Sequence, residues 1–329
     1  MTTLAEPVAV ASREPAVASP CASVIIPHIG PPSDIERCLR SLTEVDAIRS
    51  SEVIVVHSGA LPGATAIHTP PGLPVRVLYV EEPLVSGLAR NLGAAHAHSK
   101  YLVFLDADCT AGRRWLLAHL DALSVDARVT TGPVLPGPTQ GPWGIAEYLI
   151  EFAYLRRRPW GRNMVSGPAC NMAITRADFE RLGGFSSLRA GQDLLLHLQL
   201  RARAVPLTYV PGALMYHWCR EESAAFGRHR EAIGAGLGVV TRIAEREALL
   251  GPWISAEYRF LHWIAGSPFS ALLVPSKLWR LFTLVLRGDG WLTLALLRTF
   301  PHVLIGLAIE ARACRHAYVN ATSNADDRR

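Results

Sequence analysis

Between Ser23 and Leu123, short apolar runs and amphipathic helical patterns take turns, and that alternation restricts the fold more than any other feature of the chain. "SVIIP" (23–27) is closed by a proline, "EVIVVH" (52–57) is dense in β-branched side chains, and "VRVLYV" (75–80) and "YLVFLD" (101–106) complete a set of four. Each run has the length of a strand, and β-branched side chains pack well on a pleated surface. Between them lie helical signals. Ser33-Asp-Ile-Glu36 is a capping-box sequence, and Ile35, Cys38, Leu39 and Leu42 behind it share one helix face. Leu88, Leu92 and Ala95 mark a second helix, and Leu116, Leu120 and Leu123 a third. Strands alternating with helices imply an α/β fold, a Rossmann-like and mostly parallel sheet covered on both faces.

The fourth run ends in two carboxylates, Asp106 and Asp108. Acids two residues apart repel each other, and leaving water is costly for each unless it is paired. In open α/β sheets, ligands bind outside the carboxyl ends of the strands, which is where these acids fall. Oxygen ligands suit Mg2+ or Mn2+, whose shells are usually completed by substrate phosphates. The pair therefore points to a metal–nucleotide site; an exposed loop pair is the plain alternative.

Past residue 129 the pattern changes. "TTGPVLPGPTQGPWG" (130–144) reads as loop and irregular strand, and "RADFERLGGF" (176–185) as a short helix stopped by Gly183-Gly184. "GQDLLLHLQLRARA" (191–204) reads as a helix opening with an acid, and "PLTYVP" (206–211) as a strand. Residues 252–315 form a hydrophobic helical extension dense in Leu, Trp and Phe and punctuated by Arg259, Lys277, Arg280, Arg287, Arg298, Arg312 and Arg315. No window of 18 residues there is free of both charge and proline, which argues against a plain transmembrane helix. Basic, aromatic, amphipathic helices suggest docking into a membrane interface; a buried helical subdomain or a dimer face would carry the same pattern.

A formal charge of +5 is too weak a bias for nucleic acid, and the densest basic cluster, "LRRRPW" (155–160), is read as a solvated helix end or a contact for an anionic donor or membrane. The six cysteines contain no C-x-x-C pair, so they read as reduced, mostly buried thiols of a cytosolic protein. Cys109 and Cys170 come into consideration as nucleophiles, but nothing near them in the sequence supports that role. Residues 1–22, rich in Ala, Pro and Ser, read as a disordered tail rather than a signal peptide.

The ordered series "SVIIP…EVIVV…GLARNLGAA…YLVFLDADC…GPACNMAITRADFERLGGF…GQDLLLHLQLRA…YVPGALMYH" resembles the family 2 glycosyltransferases of the GT-A fold over roughly residues 22–220. The resemblance implies a nucleotide half at 23–108, an acceptor half at 109–220, and a separate helical region at 221–329. It implies that Pro27 and His28 lie along the nucleotide base, that Arg90 stands near the diphosphate or base, that Asp106 reaches the ribose and that Asp108 holds the metal. His217 in "LMYHW" matches a histidine that completes the metal shell in relatives, although a lone histidine is often only structural. Asp193 of "GQD" matches the general base of inverting transfer, which takes a proton from the acceptor hydroxyl. A helix N-terminus favours its negative charge, and a capping role is the competing reading. Gln192 stands where relatives carry Glu, and it and Asn171 would bind acceptor hydroxyls. The acid that follows the second strand in relatives is replaced by His57 and Ser58, so His57 would contact the base in another way.

The expected activity is inverting, metal-dependent transfer of a sugar from a UDP-, GDP- or dTDP-linked donor, with Mn2+ or Mg2+, to a hydroxyl of a lipid-linked or cell-envelope glycan. The expected location is the cytoplasm, peripheral on the inner face of the cell membrane, with homo-oligomerisation left open. A nucleotide-sugar-binding scaffold without turnover is the second reading, motivated by Gln192 and the replaced acid. A nucleotidyltransferase would need a Gly-rich, basic loop after the first strand, and "PHIGPPSD" has one Gly and no Lys or Arg.

Overall fold

The structure, a computed structural model, describes residues 9–12, 19–59, 66–156, 166–251 and 270–326. Residues 252–269 of the apolar extension and Arg157 to Trp160 of the basic cluster lie outside the described residues. The chain forms two compact units: Met1–Pro133 with Trp160–Ser187 and Val205–His217, and Val134–Pro159 with Leu188–Ala204 and Trp218–Arg329. Each unit is built from three separate stretches of chain.

The first unit holds β1 (Ala9–Ser12), β2 (Ser23–Ile29), β3 (Glu52–Ser58), β4 (Val75–Val80), β5 (Tyr101–Leu105), β6 (Cys109–Ala111), β7 (Val129–Thr131), β9 (Asn171–Thr175), β10 (Leu207–Tyr209) and β11 (Met215–His217). Its helices are α1 (Ser33–Leu42), α2 (Ser86–Ala95), α3 (Trp115–Val125) and α5 (Arg176–Leu182). Eight strands form one sheet in the order β1-β4-β3-β2-β5-β9-β7-β10. β2 is parallel to both β3 and β5, and β3 is parallel to β4. β1 and β9 add antiparallel pairs to β4 and β5. The mostly parallel sheet is as the alternation predicts. β1 lies within the stretch read as a disordered tail, where it pairs Ala9–Ser12 with Arg76–Tyr79.

Two details place the site. Chain order runs outward from β2 through β3 and β4, then jumps to β5 on the other side of β2, so the crevice between β2 and β5 is the switch point of this sheet. β2 pairs β5 only through Ile25, opposite Phe104. Pro27 lies beyond that last pair, where a missing N–H is tolerated, and β2 continues to Ile29 rather than stopping at the proline. α2 packs closely on this strand: a Cβ on Gly93 would sit 2.5 Å from Ile25 Cγ2.

The second unit contains β8 (Val134–Pro136), α4 (Pro142–Glu151), α6 (Gln192–Ala202), α7 (Ser223–Arg246), α8 (Leu273–Val285) and α9 (Gly290–Asp326). α9 lies against α7 where glycines permit close approach; a Cβ on Gly234 would meet Glu310 O at 2.2 Å. Arg230, 1% exposed, bonds Glu151 of α4 and lies 3.5 Å from Glu310 of α9, which also bonds Lys277 of α8. Arg156, the described arginine of the basic cluster, is not a solvated helix end: it bonds Asp289 at 2.9 Å and lies over the Trp291 ring.

α8 and α9 also carry exposed Trp279, Phe282, Leu294, Leu297 and Phe300, and Leu286, the C-cap of α8, is exposed with them. Within 270–310 the two acids, Asp289 and Glu310, are buried, while Arg280 and Arg298 are exposed. Among the described residues one helix, Gly290–Ala321, is long and apolar enough by length and composition to cross a membrane; it carries Pro301 inside it.

Candidate functional site

Asp106 and Asp108 follow β5 directly, in a turn closed by Cys109 N–H donating to Asp106 O at 3.1 Å. The turn leads into β6, which pairs antiparallel with β11 so that His217 lies opposite Cys109. This register carries His217 next to Asp108, with Nε2 3.5 Å from Oδ1. His217 is buried whereas the Asp108 side chain is 41% exposed, so the pair has an open side. A carboxylate and an imidazole at this spacing fit a divalent cation with a preference for oxygen and nitrogen, Mn2+ or Mg2+.

Asp106 is held from behind. Arg90, 3% exposed, donates to Asp106 Oδ1 and lies 5.5 Å from the centroid of the Phe185 ring. Asn91, the next residue of α2, grips that ring's backbone: its amide donates to Phe185 O and accepts from Phe185 N–H, both at 2.8 Å. The "GLARNLG" segment thus orients a carboxylate. Arg90, expected near the diphosphate or base, sets its buried guanidinium against Asp106.

His28 and His57 close the carboxyl ends of β2 and β3, in register with each other. Their Nδ1 atoms are 2.9 Å apart and the rings stack, with Tyr79 edge-on to His57. One Nδ1 must carry the proton and the other accept it, so at least one ring is neutral. Burial, then the charge of His57, lowers the His28 pKa to about 4. His28 Nε2 is buried without a hydrogen-bond partner among the described residues.

The sign of the linkage follows. Between the folded value of about 4 and the ordinary 6.5, the unfolded chain binds the proton and the folded chain does not, so stability rises with pH across that window and is lost on acidification. His119, also lowered to about 4 by burial, acts in the same direction. His28→Gln is expected to reduce the slope of unfolding free energy between pH 4 and 6.5 by about 1.4 kcal/mol per pH unit at mid-window, read by urea titration at stepped pH.

Asn171, expected to bind the acceptor, is corrected to a structural role. It is fully buried; its Oδ1 accepts from Trp115 Nε1–H at 2.8 Å and from His119 Nε2–H at 3.1 Å. Its Nδ2 donates to Pro133 O at 3.2 Å and Ala213 O at 2.9 Å. All four hydrogen-bonding positions are spent. Gln192 and Asp193 open α6 in the second unit, and Asp193 Oδ1 accepts from Leu194 N–H at 2.8 Å.

Asn91, Phe185, Trp115 and His119 escaped the sequence reading. Asn91 alone had a local signal, its place beside Arg90; the others are revealed only by tertiary contacts.

Residues 23–183 match the model of Glycosyl transferase family 2. The glycosyltransferase AglE of Haloferax volcanii is 31% identical over 109 residues, a match spanning 32% of this chain and about a third, 36%, of that protein's length. Among solved structures, the mannosyltransferase PcManGT from Pyrobaculum calidifontis, in complex with GDP-Man and Mn2+, is similar with a TM-score of 0.60 and 19% identity, covering 91% of this chain and 88% of that one. S. aureus TarS 1–349 has a TM-score of 0.50 and 15% identity, covering 92% of this chain and 91% of that one. These likenesses establish a shared fold, that of the GT-A glycosyltransferases.

Proposed function

We propose that this chain, whose residues 23–183 match the model of Glycosyl transferase family 2, is an inverting, metal-dependent glycosyltransferase that moves a sugar from a nucleotide-diphosphate donor to a hydroxyl acceptor. The observation that carries the reading is the Asp108–His217 pair at the sheet's switch point, beside an Asp106 held in place by Arg90. Asp108 and His217 would hold Mn2+ or Mg2+, which when bound neutralises charge developing on the departing diphosphate. Asp106, fixed from behind, accepts hydrogen bonds from the ribose hydroxyls. Pro27, His28 and His57 border the base, with His28 Nε2 as the unpartnered polar atom. Asp193 takes the proton of the acceptor hydroxyl as it attacks, and Gln192 binds a neighbouring hydroxyl.

The donor is UDP-, GDP- or dTDP-linked; the GDP-Man of the Pyrobaculum structure makes GDP-mannose the first to try. The acceptor is a lipid-linked or cell-envelope glycan, and the enzyme works on the cytoplasmic face of the membrane. Support for this lies in the exposed aromatic and aliphatic side chains of α8 and α9, accompanied by Arg280 and Arg298 and by no exposed acid in 270–310. Such a surface suits an anionic bilayer. It is expected to co-sediment with anionic liposomes, and Trp279→Asp with Leu286→Asp to release it; a wild type that ignores liposomes overturns the acceptor reading.

The transfer reading is tested with UDP-, GDP- and dTDP-sugars, Mn2+ and a hydroxyl acceptor panel, following the anomeric proton of the product by NMR. Donor consumption with inverted configuration is expected. Retention would overturn the inverting step, and nucleotide binding without consumption across the panel would favour a scaffold.

A further inference from the structure

Two cysteines at the site have no part in the reading above. Cys109 follows Asp108 and opens β6; Cys170 directly precedes β9, whose Asn171 lies opposite Leu105 of β5. The β6–β11 register adds His217 opposite Cys109. Together these pairings bring Cys109 Sγ, Cys170 Sγ and an imidazole nitrogen of His217 within 4.8 Å of one another. Cys109 is 0%, Cys170 3% and His217 5% exposed. Asp108 Oδ1 lies 3.6 Å from Cys109 Sγ and 3.5 Å from His217 Nε2.

Two sulfurs, an imidazole nitrogen and a carboxylate oxygen are the donor set of a four-coordinate zinc site. With Zn–S of about 2.3 Å and Zn–N of about 2.0–2.1 Å, tetrahedral ligand atoms stand roughly 3.3–3.8 Å apart. The Cys109, Cys170 and His217 ligand atoms therefore need only a small contraction, and Asp108, in the turn before β6, is near two of them. Thiolate ligands select zinc over the harder Mn2+ and Mg2+. Among the described residues the other cluster of this kind, Glu147, Glu151 and His229, already has cations on both acids: Arg220 at 2.7 Å from Glu147, and Arg230 on Glu151.

We propose that Cys109, Cys170 and His217, with Asp108 as fourth ligand, form a thiophilic metal site that takes Zn2+ and, by occupying His217 and Asp108, excludes the Mn2+ or Mg2+ of the donor site. The exclusion rests on the function proposed above; the zinc site itself does not. Binding converts two thiols to thiolates and releases two protons to solvent. Zinc is then an inhibitor that competes with the activating metal.

The test uses reduced, metal-free full-length protein and Co2+ as the probe. Wild type should develop a thiolate-to-cobalt charge-transfer band and tetrahedral d–d absorption, both erased by one equivalent of Zn2+. X-ray absorption of the zinc form should count two sulfurs at about 2.3 Å. Cys170→Ser should weaken zinc binding at least tenfold, the low end of the roughly 10–100-fold seen for weaker perturbations. Zn2+ should displace bound Mn2+, read by the Mn2+ EPR signal without any turnover. A wild type with no sulfur band, its thiols still reduced, overturns the site, as does a band that survives in the Cys109→Ser/Cys170→Ser double variant. A sulfur band with Mn2+ left in place overturns the exclusion alone. Absence of any Mn2+ binding counts against the donor-site reading while the sulfur band still decides the zinc site.

Discussion

Asp193→Asn is expected to lower kcat by roughly 10²–10⁴-fold, the contribution of a positioned general base. The substitution separates the two roles open to this residue. Asp193 is the second residue of α6, behind Gly191 as N-cap, and its Oδ1 accepts from Leu194 N–H at 2.8 Å, an acceptor that Asn retains. As a base, Asp193 loses its function entirely, because an amide cannot take the proton of an attacking hydroxyl. A melting temperature near wild type together with collapsed kcat and unchanged donor affinity is the expected result. Wild-type kcat in Asp193→Asn would assign the residue to a structural role in the first turn of α6 alone.

The second large effect divides the two acids of the turn. Asp108 is 41% exposed and faces His217, so Asp108→Asn should leave the fold intact and abolish metal-dependent nucleotide binding. At a nucleotide concentration of about 100 times Kd, that is a loss of roughly 2.7 kcal/mol of ligand-induced stabilisation. Asp106 differs because Arg90 depends on it. Asp106→Ala takes a carboxylate partner, itself 29% exposed, from a guanidinium 3% exposed, and removing one acceptor from a buried donor costs about 1–3 kcal/mol. Asp106→Ala should therefore melt lower even without ligand, and Asp108→Asn should not. Equal melting temperatures for the two free variants would contradict the positioning role given to Arg90.

The sheet was legible because β2, β3, β4 and β5 are short apolar runs, with helical faces between β2 and β3 and between β4 and β5, and crossovers of that kind leave few arrangements. Asp106 and Asp108 were legible for the same reason, since a strand that ends in acids puts them at the carboxyl edge. Asn171 was not: whether a polar side chain meets a ligand or the protein's own carbonyls depends on Pro133 and Ala213, 38 and 42 residues away in the chain. The bond from Arg90 to Asp106 was not legible, because it depends on where the turn after β5 places that carboxylate. The Cys109–Cys170–His217 grouping depends on two antiparallel registers that no local pattern encodes. The interleaving of the two units was equally out of reach, being a property of which distant segments pack together.

The most direct test of the donor site is thermal unfolding of the wild type with UDP, GDP and dTDP, each with and without Mn2+. A stabilising shift with one nucleotide, present only with Mn2+, is the predicted result and identifies the base. No shift with any of the three would contradict the assignment of Asp106, Asp108 and His217 to a metal–nucleotide site.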